Sequence, residues 1–213
     1  MTGLIAILRG VTPAEVVGIG HALAGAGVTA IEVPLNSPDP FASVRLLADA
    51  LGDRCVIGAG TVLTTEDVGR AREAGARIIV APNTDRAVIT AAVDAGLTPY
   101  PGVATPSEAF AAIASGARHL KLFPADAVGI GGMAAWRAVL PKDVELLPVG
   151  GVDQANLAAW AAAGAAGAGL GSGLYRPGDT AEAVGARARE FGRIWQEATG
   201  GTTDETVAGD GKR

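Results

Sequence analysis

A single cysteine, Cys55, in 213 residues leaves no partner for an internal disulfide, which suits a chain kept in a reducing compartment. Aromatic residues supply only 4%, so the core has to be assembled from Ala, Val, Leu and Ile, side chains small enough for helices to pack closely over a sheet. No apolar stretch approaches the ~18 uninterrupted residues of a membrane span, and Met1-Thr2-Gly3 has neither the charged head nor the small-residue cleavage site of a secretory signal. Basic charge is scarce as well. Seventeen Lys and Arg against 22 Asp and Glu give a net charge of −5, which removes the cationic surface that phosphate-backbone binding requires. These absences predict a cytoplasmic protein with no nucleic-acid and no membrane partner. No Walker loop and no Ser-centred nucleophile elbow occurs. His21 and His119 lack neighbours spaced as metal ligands, so neither a metal nor a cofactor is expected.

Hydrophobic residues reach 49% and charged residues only 18%, which excludes disorder for most of the chain. The 31 glycines follow no repeat and fall at the ends of apolar runs, where turns and close backbone approaches are made. Short β-like runs alternate with helical stretches throughout: Leu4 to Leu8, Ala30 to Leu35, Cys55 to Val62, Arg77 to Ala81, Thr98 to Val103, His119 to Phe123, Glu145 to Val149 and Gly167 to Leu170. A helical pattern follows each. The first is announced by Thr12 as N-cap, Pro13 and Glu15, and the last runs from Ala181 to Glu197. Two further patterns fit Gly132 to Leu140 and Asp153 to Ala163. Parallel strands are implied, because each helix carries the chain back across the sheet. Eight such units in about 200 residues predict an α/β fold, a single-domain (β/α)8 TIM barrel over 1–198. A doubly wound sheet would want a GxGxxG turn after its first strand, and the chain reads Leu8-Arg9-Gly10-Val11-Thr12 there. From 199 to 213 no periodic apolar face remains, so a flexible polar tail is expected.

In such a barrel the chemistry belongs at the C-terminal ends of the strands. Side-chain alternation along a strand puts His119, Lys121 and Phe123 on one face, Ala30, Glu32 and Pro34 on another, and Ile5, Ile7 and Arg9 on a third. A Lys, a Glu and an Arg thus converge on the interior. Lys121 is either the structural ion-pair partner of Glu32 or an amine nucleophile, and the second is favoured. Apolar surroundings would depress its pKa and free the amine to attack a carbonyl, while a nearby carboxylate opposes that shift. Glu32 is either that partner or a general acid and base. Arg9 is a strand-end charge or a bidentate clamp for a carboxylate. Two Gly-rich turns, Val149-Gly150-Gly151-Val152 and Gly169-Leu170-Gly171-Ser172-Gly173, fall after the last two strands. Barrels often bind phosphate there through backbone N–H groups, although glycines also serve tight turns alone.

As a set, Ile5-Ala6-Ile7-Leu8-Arg9-Gly10, Ile31-Glu32-Val33-Pro34-Leu35-Asn36-Ser37-Pro38, Ile57-Gly58-Ala59-Gly60-Thr61-Val62, Leu120-Lys121-Leu122-Phe123-Pro124-Ala125 and Gly150-Gly151-Val152 resemble the KDPG/KHG aldolase family. The likeness runs from about Leu4 to Trp195 and is greatest to the branch acting on the galactonate sugar acid. That resemblance implies a metal-free class I aldolase in which Lys121 attacks the C2 ketone of a phosphorylated keto-deoxy sugar acid, 2-dehydro-3-deoxy-6-phosphogalactonate, releasing pyruvate and D-glyceraldehyde 3-phosphate. It implies further that Glu32 shuttles protons, that Arg9 holds the C1 carboxylate and that Thr61, Pro82 and Phe123 line the pyruvate pocket. Gly150, Gly151, Gly171 and Ser172 match phosphate-binding positions. Asn36 and Val149 differ from the gluconate branch and point to the galactonate epimer. The family also implies a homotrimer and a short helix ahead of strand one; with only Met1 to Gly3 there, the barrel bottom is expected to be covered differently or the sequence to begin late. An aldolase for the gluconate epimer or for 4-hydroxy-2-oxoglutarate, and a barrel that binds sugar phosphates without cleaving them, are the alternatives.

Overall fold

Thr12 stands at the N-cap of the first helix with extended backbone, Pro13 takes the first helical position, and the Glu15 carboxylate accepts the Thr12 N–H at 2.9 Å. These groups satisfy donors that a helix start otherwise leaves orphaned. The structure, a computed structural model, describes residues 3–200. Within them β1 (Gly3–Ile7), α1 (Pro13–Gly25), β2 (Ala30–Pro34), α2 (Pro40–Leu51), β3 (Val56–Gly60), α3 (Thr65–Glu73), β4 (Ile78–Val80) and α4 (Arg86–Asp94) alternate without a break. β5 (Thr98–Tyr100), β6 (Gly102–Val103), α5 (Pro106–Ala114), β7 (His119–Leu122), α6 (Ala125–Arg137), β8 (Glu145–Pro148), α7 (Leu157–Ala162), β9 (Gly167–Leu170) and α8 (Ala181–Thr199) follow. The tail expected from 199 lies outside the described residues, apart from its first two positions.

Three differences from the sequence expectation have local causes. The run from Thr98 to Val103 splits at Pro101, which has no N–H to give to a ladder; its carbonyl instead accepts the Lys121 N–H at 2.9 Å. α6 starts seven residues before the expected Gly132, and Gly129, at φ 73°, kinks it. α7 starts at Leu157 rather than Asp153. There the Asp153 carboxylate accepts the N–H groups of Ala155 and Asn156, at 2.9 and 3.0 Å, holding a turn that competes with helix.

Every strand pair is parallel. One sheet has the order β5-β4-β3-β2-β1-β9 and the other β6-β7-β8. The expected ring of eight therefore takes the form of two curled parallel sheets. The chain passes from one to the other through Pro101. At the opposite edges Val149 bridges Gly169, and the Ala166 N–H donates to the Leu146 carbonyl at 3.0 Å. Side chains on the two strand faces enter different cores. Ile5, Ala30, Ile78, Val80, Tyr100 and Leu147 form a cluster on the concave side, whereas Leu120, Leu122, Ile31 and Val33 join the larger core under the helices. The alternation read from the sequence is thus realised on β1, β2 and β7. No helix among the described residues is long and apolar enough to cross a membrane.

Leu120 is fully buried beneath the helices, one position from Lys121 and on the other face. Leu120→Ala is expected to lose about 2–5 kcal/mol of unfolding free energy in urea titration. A loss well below 1 kcal/mol would contradict the two-core arrangement.

Candidate active site

The candidate residues collect at one end of the strands. Arg9, Thr61, Pro82, Phe123, Val149 and Gly171 lie one or two residues past the ends of β1, β3, β4, β7, β8 and β9, and Glu32 and Lys121 sit deeper, within β2 and β7. A cleft of about 420 Å³ opens there, its wall built by Arg9, Lys121, Phe123, Val149, Gly150, Gly151, Gly171 and Ser172 together with Ile7, Val152, Gly169, Gly173, Tyr175, Arg176 and Pro177. Beneath it a cavity of about 10 Å³ is lined by Glu32 and Lys121 among Ile5, Ile7, Val80, Tyr100, Leu147, Val149 and Gly169. That volume is at the lower limit for one water molecule. Lys121 borders both spaces. Asn36, Thr61 and Pro82 do not line the cleft.

Glu32 is 1% exposed and Lys121 5%. Burial pushes the Glu32 carboxyl up from 4.5 to about 7, against the opposing pull of Lys121 and then Arg9. Burial likewise lowers Lys121 below the usual 10.5, with Glu32 opposing and Arg9 adding to the fall. On both partners the shift runs in the direction that desolvation imposes, against the opposing charge. Glu32 Oε2 is buried and finds no hydrogen-bond partner among the described residues. The Lys121 Nζ lies 4.5 Å from the centroid of the Phe123 ring, and both side chains line the cleft. Such a pair has the character of a proton donor and acceptor beside an amine, more than of a closed ion pair.

Backbone constraints keep this geometry. At Gly60, at the end of β3, a Cβ would overlap the Glu32 carboxylate, so any side chain there displaces that acid from its present position. The sequence reading passed over this role, which depends on the register between β2 and β3. Thr61 follows at φ 55°, an outlier for a β-branched residue and the kind of strain that collects at functional sites. Arg9 Nη1 donates to Asn36 Oδ1 at 2.5 Å, and the Gly10 N–H to Ser37 Oγ at 2.9 Å, so the segment after β2 sets the position of the guanidinium. Gly150 and Gly151 take φ of 89° and 75°, which other residues rarely adopt. The N–H groups of Gly151, Ser172 and Gly173 have no acceptor among the described residues. Tyr175 and Arg176, which the sequence reading did not single out, complete the wall after β9.

A model of the KDPG and KHG aldolase family matches residues 2–183. The chain belongs to this aldolase family. Among its relatives, the probable 2-dehydro-3-deoxy-6-phosphogalactonate aldolase of Rhizobium meliloti is 52% identical over 87% of each chain. The 2-dehydro-3-deoxy-6-phosphogalactonate aldolase of Escherichia coli is 48% identical over 92% of this chain and 95% of its own. A solved structure described as native KDPGal superposes with a TM-score of 0.91 at 47% identity, covering 92% of this chain and 96% of that one. The family match thus spans both curled sheets and every candidate residue.

A carboxyl whose folded value, about 7, lies above its unfolded value keeps a proton that the unfolded chain gives up. Its contribution to stability is present below about pH 4.5 and is lost as pH rises through about 7. Glu32→Gln is therefore expected to flatten the decline in urea midpoint between about pH 5 and about pH 8. Equal slopes in the two proteins would contradict the buried, raised carboxyl.

Proposed function

We propose that the protein is a class I aldolase that cleaves 2-dehydro-3-deoxy-6-phosphogalactonate to pyruvate and D-glyceraldehyde 3-phosphate. One observation carries the chemistry: a lysine amine, depressed in pKa by burial, borders a cleft at the strand ends above a raised carboxyl. The names of the relatives at 48–52% identity support the substrate.

In this reading the neutral Lys121 amine adds to the C2 ketone, and loss of water gives a protonated iminium. Glu32 carries the protons of addition and dehydration and accepts the proton of the C4 hydroxyl. The C3–C4 bond then breaks. Its electron pair flows into the iminium as an enamine, and the C4 oxygen becomes the aldehyde of D-glyceraldehyde 3-phosphate. Protonation at C3 and hydrolysis release pyruvate and restore the amine. Arg9, oriented by Asn36, holds the C1 carboxylate, and Phe123 lies against the pyruvate carbons. Thr61 and Pro82, off the cleft wall, are assigned to that pocket by the family resemblance alone. The backbone donors of the Gly150-Gly151 and Gly171-Ser172 turns receive the phosphate. Asn36 and Val149 favour the galactonate epimer, a reading supported by their difference from the gluconate branch.

The same proposal takes the two curled sheets as one (β/α)8 barrel domain over 1–198, an inference supported by the Val149–Gly169 bridge and the continuous passage through Pro101. A homotrimer rests on the family resemblance, and a cytoplasmic location on the single cysteine, Cys55.

Borohydride reduction in the presence of pyruvate is expected to leave a stable adduct on Lys121, located by peptide mass. Lys121→Ala should abolish cleavage and trapping while remaining folded. A folded wild-type protein that binds sugar phosphate yet forms no adduct would instead be a non-catalytic binding barrel. Gly60→Ala, by displacing the Glu32 carboxylate, is expected to lower kcat about 100-fold while pyruvate trapping persists; unchanged kcat would remove Glu32 from the mechanism. Rates of pyruvate release from the two phosphorylated epimers decide the substrate.

A further inference from the structure

We infer that Arg176 is a specificity-determining residue of the cleft, the cation that recognises the substrate's terminal phosphate. This rests on the aldolase reading above and on the phosphate lying against the two glycine turns. Three cationic side chains line the cleft: Arg9, Lys121 and Arg176. Arg9 is engaged with Asn36 beyond β1 and β2. Lys121 lies deep and is depressed in pKa by burial. Only Arg176 stands on the β9 side, beside the Gly171-Ser172-Gly173 turn.

Its geometry leaves the charge available. The Arg176 Nε donates to the Ser172 carbonyl at 3.0 Å, which ties the root of the guanidinium to the turn. Neither terminal nitrogen makes a hydrogen bond or ion pair among the described residues. The nearby Asp179 carboxylate accepts the backbone N–H of Arg176 at 2.8 Å, but its ion-pair partner is Arg187. Asp179 therefore shapes the loop without closing off the Arg176 side chain.

The loop is also held before any ligand arrives. The Leu174 and Tyr175 N–H groups donate to the Gly171 carbonyl at 2.8 and 3.0 Å. The Tyr175 hydroxyl donates to Glu15 Oε1 at 3.1 Å, the carboxylate oxygen that also receives the Thr12 N–H at the start of α1. Backbone N–H groups alone present partial charges to an anion. A guanidinium next to them adds a full charge and two free donors in a fork matched to phosphate oxygens. Discrimination between a phosphorylated sugar acid and its unphosphorylated counterpart then falls to Arg176.

The test is steady-state cleavage by wild type, Arg176→Gln and Arg176→Lys. The substrates are the phosphorylated keto-deoxy galactonate and the same acid without phosphate, with inorganic phosphate as inhibitor. Arg176→Gln is expected to raise KM for the phosphorylated substrate about tenfold or more, the scale of a lost charge-assisted contact. Its kcat, and kcat/KM for the unphosphorylated acid, should be little changed. The inhibition constant of inorganic phosphate should rise in step, and Arg176→Lys should recover part of the loss. Unchanged KM in Arg176→Gln, while wild type still prefers the phosphorylated substrate, overturns the role of Arg176 alone. An equal loss on both substrates shows a loop-supporting residue and overturns it too. A wild type that cleaves both acids equally well overturns the phosphate reading on which the inference stands.

Discussion

Two groups of opposite charge, Glu32 and Lys121, are taken out of water between curled parallel strands, and the surroundings of the cleft answer to that fact. In solvent each would be ionised at neutral pH. Held among Ile5, Ile7, Val80, Tyr100 and Leu147, both move toward their neutral forms, because loss of hydration outweighs their mutual attraction. A lysine amine shifted toward its neutral form beside a proton carrier suits addition to a ketone. The apolar concave core is therefore a chemical device as well as a source of stability.

The fold serves this arrangement through small residues. β2 and β3 are paired with Glu32 opposite Gly58 and Pro34 opposite Gly60, and the missing side chain at Gly60 leaves the space that the Glu32 carboxylate fills. Parallel strands add a second property: all of their C-terminal ends point the same way. An arginine, a lysine and two glycine turns then meet from β1, β7, β8 and β9 without any long loop. In the proposed reading an anion is held at each end of the cleft, with the Lys121 nitrogen between them.

Much of this was legible in the sequence, for identifiable reasons. Thr12, Pro13 and Glu15 state a helix start in local chemistry, and the structure has it there. The alternation of His119, Lys121 and Phe123 against Leu120 and Leu122 states which face is inward, because parity along a strand survives any error in its ends. What the sequence left unreadable depends on contacts between distant segments. Pro101 splits a strand while its carbonyl still serves Lys121, which makes two sheets of an expected ring. The helix expected near Gly132 begins at Ala125, because glycines that read as a break sit within a kinked helix. Gly60 looked like one strand-end glycine among many until the carboxylate beside it was placed. Arg176 follows a glycine-rich turn that had already been read as a phosphate loop, but a lone exposed arginine carries no period or motif.

The central claim is that burial, not pairing, governs Lys121. It is tested most directly by following the side-chain resonances of isotopically labelled lysine through a pH titration. The chain has three lysines, Lys121, Lys142 and Lys212, so the spectrum is simple to assign with a Lys121→Arg variant. One signal, absent in that variant, should titrate well below the ordinary lysine value of 10.5. If all three titrate at or above that value, Lys121 is a protonated ion-pair partner and the account fails.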